Sequence, residues 1–395
     1  MRTLTNILGA AALLCAMAPA AAPAAQPLPQ NPASAEASID GLWRGEVGGR
    51  TVLACFNATI GSFYAPADRK LIMLWAEQPL RWAEKDERDP ANPRWNLRLQ
   101  GNDRLAGERA AGRDAQALTL ARLPAPAAED ADSDATGPCR SLAYHRERLE
   151  PLAVRERPAR LGTAGYVEIV AAPASYPDAV RYQSFRVPGD APGTAAVNAL
   201  LARMIDLRGP GESEWSLCLA AAGNSGGDFH AGLAPVRIGR RFVAAEEERE
   251  ASCGGAHPSS GSYPRLFDLV EGREVAMRDW LNPRALDGEL LDERSEPNPD
   301  AEPNVLPLSA ALRRVLVSKA GKPEPECAGT VDEETYWTVG VGRDALLFYP
   351  HLARAVRACG EEIALPFTAM APFLSAEGKT ALARLRADPA VFAQP

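Results

Sequence analysis

Residues 51–56, Thr51-Val52-Leu53-Ala54-Cys55-Phe56, form a short β-prone apolar run whose surroundings decide how the N-terminal part of the chain folds. Comparable runs recur at Lys70–Ala76, Trp95–Leu99 and Leu118–Leu123, each separated from the next by Gly, Asp, Asn or Pro. Apolar runs of this length between turn formers predict antiparallel strands joined by turns. Trp43, Trp75, Trp82 and Trp95 all fall in the same stretch. Their large apolar areas suit the centre of a small barrel or curved sheet, and they read as core aromatics rather than a ligand cage.

Upstream of this β-rich module, set at residues 39–150, the sequence changes character. Arg2 supplies a positive charge, Ile7–Met17 is a short uncharged apolar stretch, and Ala18-Pro19-Ala20 and Ala22-Pro23-Ala24 offer small residues to a signal peptidase. That order predicts a signal peptide over residues 1–25, cut between Ala20 and Ala25. The apolar run falls short of the ~20 residues of a spanning helix, and Pro19 and Pro23 follow it. No membrane span is expected after cleavage. Leu14 ahead of Cys15 argues against lipoprotein processing, and the Pro/Ala/Gln/Asn leader Gln26–Ser38 need not fold.

An exported chain lands where thiols pair. Beyond the signal stand Cys55, Cys139, Cys218, Cys253, Cys327 and Cys359, an even set that reads as disulfides in a periplasmic or secreted protein. Six cysteines allow fifteen connectivities. Joining neighbours within each proposed unit would link Cys55 to Cys139, Cys218 to Cys253 and Cys327 to Cys359, and sequence does not choose among the fifteen. No CxxC pair is present, so neither a zinc ribbon nor a thioredoxin-like redox site is indicated. The chain has 395 residues, 46% hydrophobic and 24% charged, which fits a globular protein of two or three units. Its formal net charge of −8 opposes a nucleic-acid backbone and favours a basic or neutral partner.

Downstream, the acidic stretch Pro124–Gly137 reads as a linker and the basic stretch Arg155–Arg160 as a boundary, with a second domain over residues 162–390. There Tyr166–Ala171, Glu214–Ala222, Val236–Ala245 and Leu266–Val270 read as strands. Tyr336–Val341 and Ala345–Tyr349 form a hairpin. Thr194–Ile205 carries an apolar helical stripe that Thr194 is placed to cap. Ser309–Ser318 is a helix capped by Ser309, and Pro366–Leu385 is mostly helical. The fold class is α+β: an N-terminal antiparallel β-rich module followed by an α+β domain.

Several segments of the second domain form a recognisable series. They are Ser252-Cys253-Gly254-Gly255-Ala256-His257-Pro258, Phe267-Asp268-Leu269-Val270-Glu271-Gly272-Arg273 and Ala276-Met277-Arg278-Asp279-Trp280-Leu281, then Leu346–Pro350 and Cys359–Phe367. The series resembles the extracytoplasmic domain of unknown function found at the C-terminus of the RsiV type of lysozyme-sensing anti-sigma factor and in some peptidoglycan deacetylases. The likeness runs from Gly162 to Leu374. The resemblance implies an α+β fold and proximity to peptidoglycan or a lysozyme-like protein. This chain has no cytoplasmic sigma-binding region, spanning helix or deacetylase domain, so those activities are not implied. Gly41-Leu42-Trp43-Arg44-Gly45 resembles the opening of small β modules of proteobacterial envelope proteins.

One string looks catalytic. Gly223-Asn224-Ser225-Gly226-Gly227 matches both the G-x-S-x-G elbow and the Gly-x-Ser-Gly-Gly of trypsin-like nucleophiles. Its partners do not fit: upstream there is only His145, and Asp228–Pro235 lacks the apolar stripe of a following helix. The string therefore reads as a Gly-rich turn. His230, His257 and Asp228 show no metal-ligand spacing, so no metal or cofactor is expected. Glu246, Glu247, Glu248 and Glu250 read as a solvated loop that could face a basic partner such as lysozyme. Two functions follow. The preferred one is a non-enzymatic binding module for an envelope component or lysozyme-like protein. The alternative is a secreted serine hydrolase using Ser225 with His257 or His351 as base.

Overall fold

In a computed structural model, which describes residues 38–85, 92–125, 137–255, 258–293, 304–319, 327, 329–353, 356 and 359–393, eight strands follow one another from Gly41 to Arg122. They are β1 (Gly41–Val47), β2 (Arg50–Asn57), β3 (Ile60–Tyr64), β4 (Ile72–Gln78), β5 (Arg81–Lys85), β6 (Arg94–Gln100), β7 (Arg104–Ala111) and β8 (Asp114–Arg122). Each pairs antiparallel with its sequence neighbour, and β1 closes onto β8, which removes the free edges of the sheet. Closure demands a close approach. A Cβ at Gly45 would run into the Thr119 carbonyl of β8.

The run 51–56 is apolar on both faces for a structural reason. Val52, Ala54 and Phe56 point into the barrel with Trp43, Trp82 and Trp95. Leu53 and Cys55 point outward, where Cys139 and Tyr144 from the following segment cover them. That segment is a turn at Pro138–Arg140 and the short helix α1 (Leu142–His145), whose first turn is capped by Ser141. Trp75 departs from expectation: it lies on the outside of the barrel, 39% exposed, with the Lys85 ammonium 5.0 Å above its ring. Its neighbours Trp43, Trp82 and Trp95 already fill the interior.

The second sheet contains β9 (Ala153–Leu161), β10 (Ala164–Ala172), β11 (Val180–Arg186), β12 (Asp228–Gly239), β13 (Phe242–Ser252), β14 (Ser259–Asp268) and β15 (Arg273–Glu274), in the spatial order β15-β14-β13-β12-β11-β10-β9. β11 and β12 run parallel. Their crossover carries α2 (Thr194–Arg203) and α3 (Glu214–Ala222), which cover one face of the sheet.

The remaining chain adds α4 (Met277–Trp280), α5 (Gly288–Glu293), β16 (Val305–Pro307), α6 (Ala310–Lys319), α7 (Thr330–Glu333), β17 (Tyr336–Val341), β18 (Ala345–Pro350), β19 (Ile363–Pro366), α8 (Phe367–Met370), α9 (Ala376–Ala387) and β20 (Ala390–Phe392). The antiparallel sheet β16-β17-β18-β19 shares a core with Phe242, Ala244 and Leu266 on the other face of the second sheet. β20 returns to pair with β12. The fold is α+β.

Cys55–Cys139, Cys218–Cys253 and Cys327–Cys359 are disulfide-bonded. Among the described residues no helix is long and apolar enough to cross a membrane. Both observations are compatible with a periplasmic or extracellular protein. The signal peptide expected over residues 1–25 and most of the linker Pro124–Gly137 lie outside the described residues.

Several local expectations are corrected. Glu214–Ala222 is a helix: Trp215, Cys218, Leu219 and Ala222 fall at helical spacing and are buried, and an apolar run of that length does not distinguish the two periods. Val236–Ala245 is not one strand but spans the turn between β12 and β13. Arg155–Arg160, read as a boundary stretch, lies within β9 and is paired to β10. Gly193 rather than Thr194 occupies the cap position of α2. Ser309 caps α6 as expected, accepting from Leu312 N at 3.2 Å.

Candidate functional site

The Gly-rich string sits where the barrel meets the second sheet. Gly223–Ser225 forms a single tight turn after α3, and Gly223, Gly226 and Gly227 all have positive φ. A Cβ at Gly227 would press on the Ala222 side chain at 2.6 Å and the Ser252 carbonyl at 2.7 Å, so this crowded corner requires glycine. Ser225 is exposed, and its hydroxyl donates to the Ala222 carbonyl at 2.7 Å. Among the described residues it makes no hydrogen bond to a histidine. His257 lies outside the described residues. His351 follows β18 in the four-stranded sheet, and its amide donates to the Tyr336 carbonyl at 2.9 Å.

Asn224, the residue before Ser225, is buried instead. Its Oδ1 accepts from Ser62 Oγ of β3 at 2.7 Å, and its Nδ2 donates to the Ile60 carbonyl at 2.9 Å. Tyr144 joins the same cluster, its hydroxyl within 2.9 Å of Ser62 Oγ. Beside it His145 is fully buried, with Nε2 donating to the Cys139 carbonyl and Nδ1 accepting from Arg148 Nη1, both at 3.0 Å. That arrangement fits a neutral imidazole. Burial, and then the adjacent Arg148 guanidinium, bring its pKa down to about 3. Asn224, Ser62, Tyr144 and His145 all have hydrogen-bond partners in the fold, which makes the string a joint between barrel and sheet.

The acidic run is a strand, not the expected loop. In β13, Glu247 points toward the helix-bearing side and pairs with Arg265, while Glu246, Glu248 and Glu250 point the other way. That second face is covered at one end by the four-stranded sheet and open at the other. Across the open end the pairing aligns Arg181, His230, Glu250 and Ser260 in one row and Gln183, Gly232, Glu248 and Ser262 in the next. They enclose an open cleft of about 550 Å³. Gly232 leaves a gap in its floor, where an added Cβ would meet only Gln183 Cβ at 3.8 Å and the Glu248 carbonyl at 4.0 Å.

Charge within the cleft is uneven. Glu246 is engaged by Ser262, and His230 Nε2 lies 3.0 Å from the Asp178 carbonyl. Glu248 and Glu250 are exposed and have no ion pair among the described residues. Among those residues no three His, Cys, Asp or Glu side chains converge to hold a metal ion.

No family model matches the chain, and no curated protein matches it. Its structural neighbours include DUF3298 family proteins. The crystal structure of one from Pseudomonas aeruginosa PAO1 aligns over 57% of this chain and 96% of its own, with 14% identity and a TM-score of 0.31. A member from Bacteroides fragilis aligns over 58% of this chain and 96% of its own, with 10% identity and a TM-score of 0.31. Likeness at that level carries no functional argument.

The sequence reading missed the open sheet face because the cleft is assembled by strand register. Residues from β11, β12, β13 and β14 come together only when the parallel β11–β12 pair forms. The alternation of Glu246, Glu248 and Glu250 with Glu247 and Arg249 was the available signal: a period of two marks a strand with one polar face.

Proposed function

We propose that this chain is an exported, non-catalytic binding protein of the cell envelope whose basic partner docks on the open face of β11–β14. One observation carries the reading. Glu248 and Glu250 stand two residues apart on that face, exposed and without counter-ions among the described residues, whereas Glu246 and Glu247 beside them are engaged. Carboxylates on a strand that are not held in ion pairs steer and orient a cationic surface. The resemblance to the RsiV type points to a lysozyme-like protein as that partner, with peptidoglycan as the other envelope component to examine.

Ser225 supports the hydrolase alternative poorly, since its hydroxyl is turned back onto the Ala222 carbonyl. Binding of hen-type lysozyme to the mature chain, measured at low and high salt, tests the reading. Glu248→Lys with Glu250→Lys is expected to abolish salt-sensitive binding. Affinity that withstands the double reversal would contradict it.

A further inference from the structure

The open face of β11–β14 carries a free cation as well as free carboxylates. Arg181 is exposed in the same row as Glu250, and among the described residues it forms no ion pair; its guanidinium donates to Gln183 Oε1 at 3.4 Å. The register places His230 between Arg181 and Glu250, so their Cα atoms stand two strand spacings apart, roughly 10 Å. Opposite charges in one row are held apart instead of neutralising each other. The imidazole between them is oriented. His230 Nε2 is 3.0 Å from the Asp178 carbonyl, an oxygen that accepts, so Nε2 carries a proton and Nδ1 of the neutral ring is left as an acceptor.

Gly232, in the next row, makes the room. It is not in a left-handed conformation, and an added Cβ would meet nothing nearer than 3.8 Å. Neither backbone conformation nor crowding requires glycine in this interior strand, where it costs stability. Its missing side chain opens a gap between Gln183 and Glu248 in the floor of the cleft. At about 550 Å³ the cleft falls in the size range of small-ligand sites, roughly 300–1,000 Å³. A cation alone would satisfy Glu248 and Glu250 but face Arg181, and an anion alone would pair with Arg181 but face two carboxylates. A ligand with both charges meets all three. Its ammonium has three N–H donors, enough for Glu248, Glu250 and the His230 acceptor, and its carboxylate accepts from the Arg181 fork.

We propose that this cleft binds a basic amino-acid residue that carries a free carboxylate, with the side-chain ammonium on Glu248 and Glu250, the carboxylate on Arg181 and the aliphatic chain over Gly232. A free diamino acid and a basic residue at the end of a peptide share that chemistry. The proposal rests on the reading that this face binds a cationic group, adds the carboxylate that Arg181 receives, and does not require the partner to be a lysozyme-like protein.

Titration calorimetry of the full mature chain tests the site with three probes: acetylglycyllysine, which carries both charges, its C-terminal amide, which keeps only the ammonium, and its Nε-acetyl derivative, which keeps only the carboxylate. The doubly charged peptide is expected to bind saturably and about tenfold more tightly than either singly charged one, the size of one charge-assisted hydrogen bond. Free lysine separates the two sources: tighter binding of acetylglycyllysine identifies a peptide end, and equal affinity the amino acid itself. Arg181→Gln, at an exposed position, is expected to reduce the doubly charged peptide to the affinity of its amide. Gly232→Val suits a strand, fills the gap and is expected to weaken binding about tenfold. If Gly232→Val does not fold, Arg181→Gln decides. Absence of acetylglycyllysine binding, or an amide that binds as tightly as the free acid, would overturn the proposal. The second of these results would leave cation binding on this face intact, whereas lysozyme affinity that withstands the Glu248→Lys, Glu250→Lys reversal strikes the underlying reading itself.

Discussion

Ser62 Oγ donates to Asn224 Oδ1 at 2.7 Å, joining barrel strand β3 to a turn 162 residues further along the chain. Both side chains are buried, and Tyr144 from the intervening helix closes the cluster. The bond gives the string Gly223–Gly227 its role, because the residue that matters there is the asparagine and not the adjoining serine.

Asn224→Ala is therefore expected to destabilise the fold by about 1–3 kcal/mol, since it removes two buried hydrogen bonds, to the Ser62 hydroxyl and to the Ile60 carbonyl, from the joint. Ser225→Ala, at an exposed site, should stay within about 0.5 kcal/mol of the parent. Urea unfolding followed by tryptophan fluorescence compares the two. A larger loss for Ser225→Ala would refute this assignment.

The disulfides should differ in weight. Cys55 and Cys139 are 84 residues apart, Cys327 and Cys359 only 32. Chain entropy alone gives about 4.6 kcal/mol for the longer loop and about 3.7 kcal/mol for the shorter. Replacing Cys55 and Cys139 together by Ser should lower stability by about 1 kcal/mol more than the same change at Cys327 and Cys359. The reverse order in equilibrium denaturation would show that native-state contacts outweigh loop closure.

His145 makes the joint sensitive to acid. Its pKa falls from 6.5 to about 3 on folding, so the unfolded chain takes up its proton first as the pH drops. The stabilisation is fully present above pH 6.5 and is lost progressively toward about pH 3. Between pH 6.5 and 4.5 this group alone accounts for roughly 2 to 3 kcal/mol of lost stability. His145→Gln can still donate to Cys139 and accept from Arg148, and it should flatten the pH profile in that window. A variant with the parent slope would place the acid sensitivity elsewhere.

Much of this architecture was legible in residue order. The strands around Thr51–Phe56, the hairpin at Tyr336–Tyr349 and the Ser309 cap follow from local pattern and capping chemistry alone. What escaped depends on contacts distant in sequence. Trp75 shares the composition of the buried tryptophans, and only barrel closure puts it outside. Glu214–Ala222 is too short and too apolar for its period to be read, and as a helix it buries Trp215, Cys218, Leu219 and Ala222 and leaves Leu217 exposed. Asn224 stands beside the serine of a nucleophile-like string, and its partner Ser62 lies 162 residues away in the barrel. The cleft is a product of strand register, which no local motif records.

On the reading proposed above, the open face of β11–β14 binds a basic partner and Ser225 is not a nucleophile. The most direct test measures lysozyme binding and ester and peptide turnover on the same preparations of the parent, Ser225→Ala and the Glu248→Lys, Glu250→Lys double variant. Saturable, salt-sensitive binding is expected that survives Ser225→Ala, disappears in the double variant and comes with no turnover. Turnover in the parent that Ser225→Ala eliminates would contradict it and make the Gly-rich turn an active site.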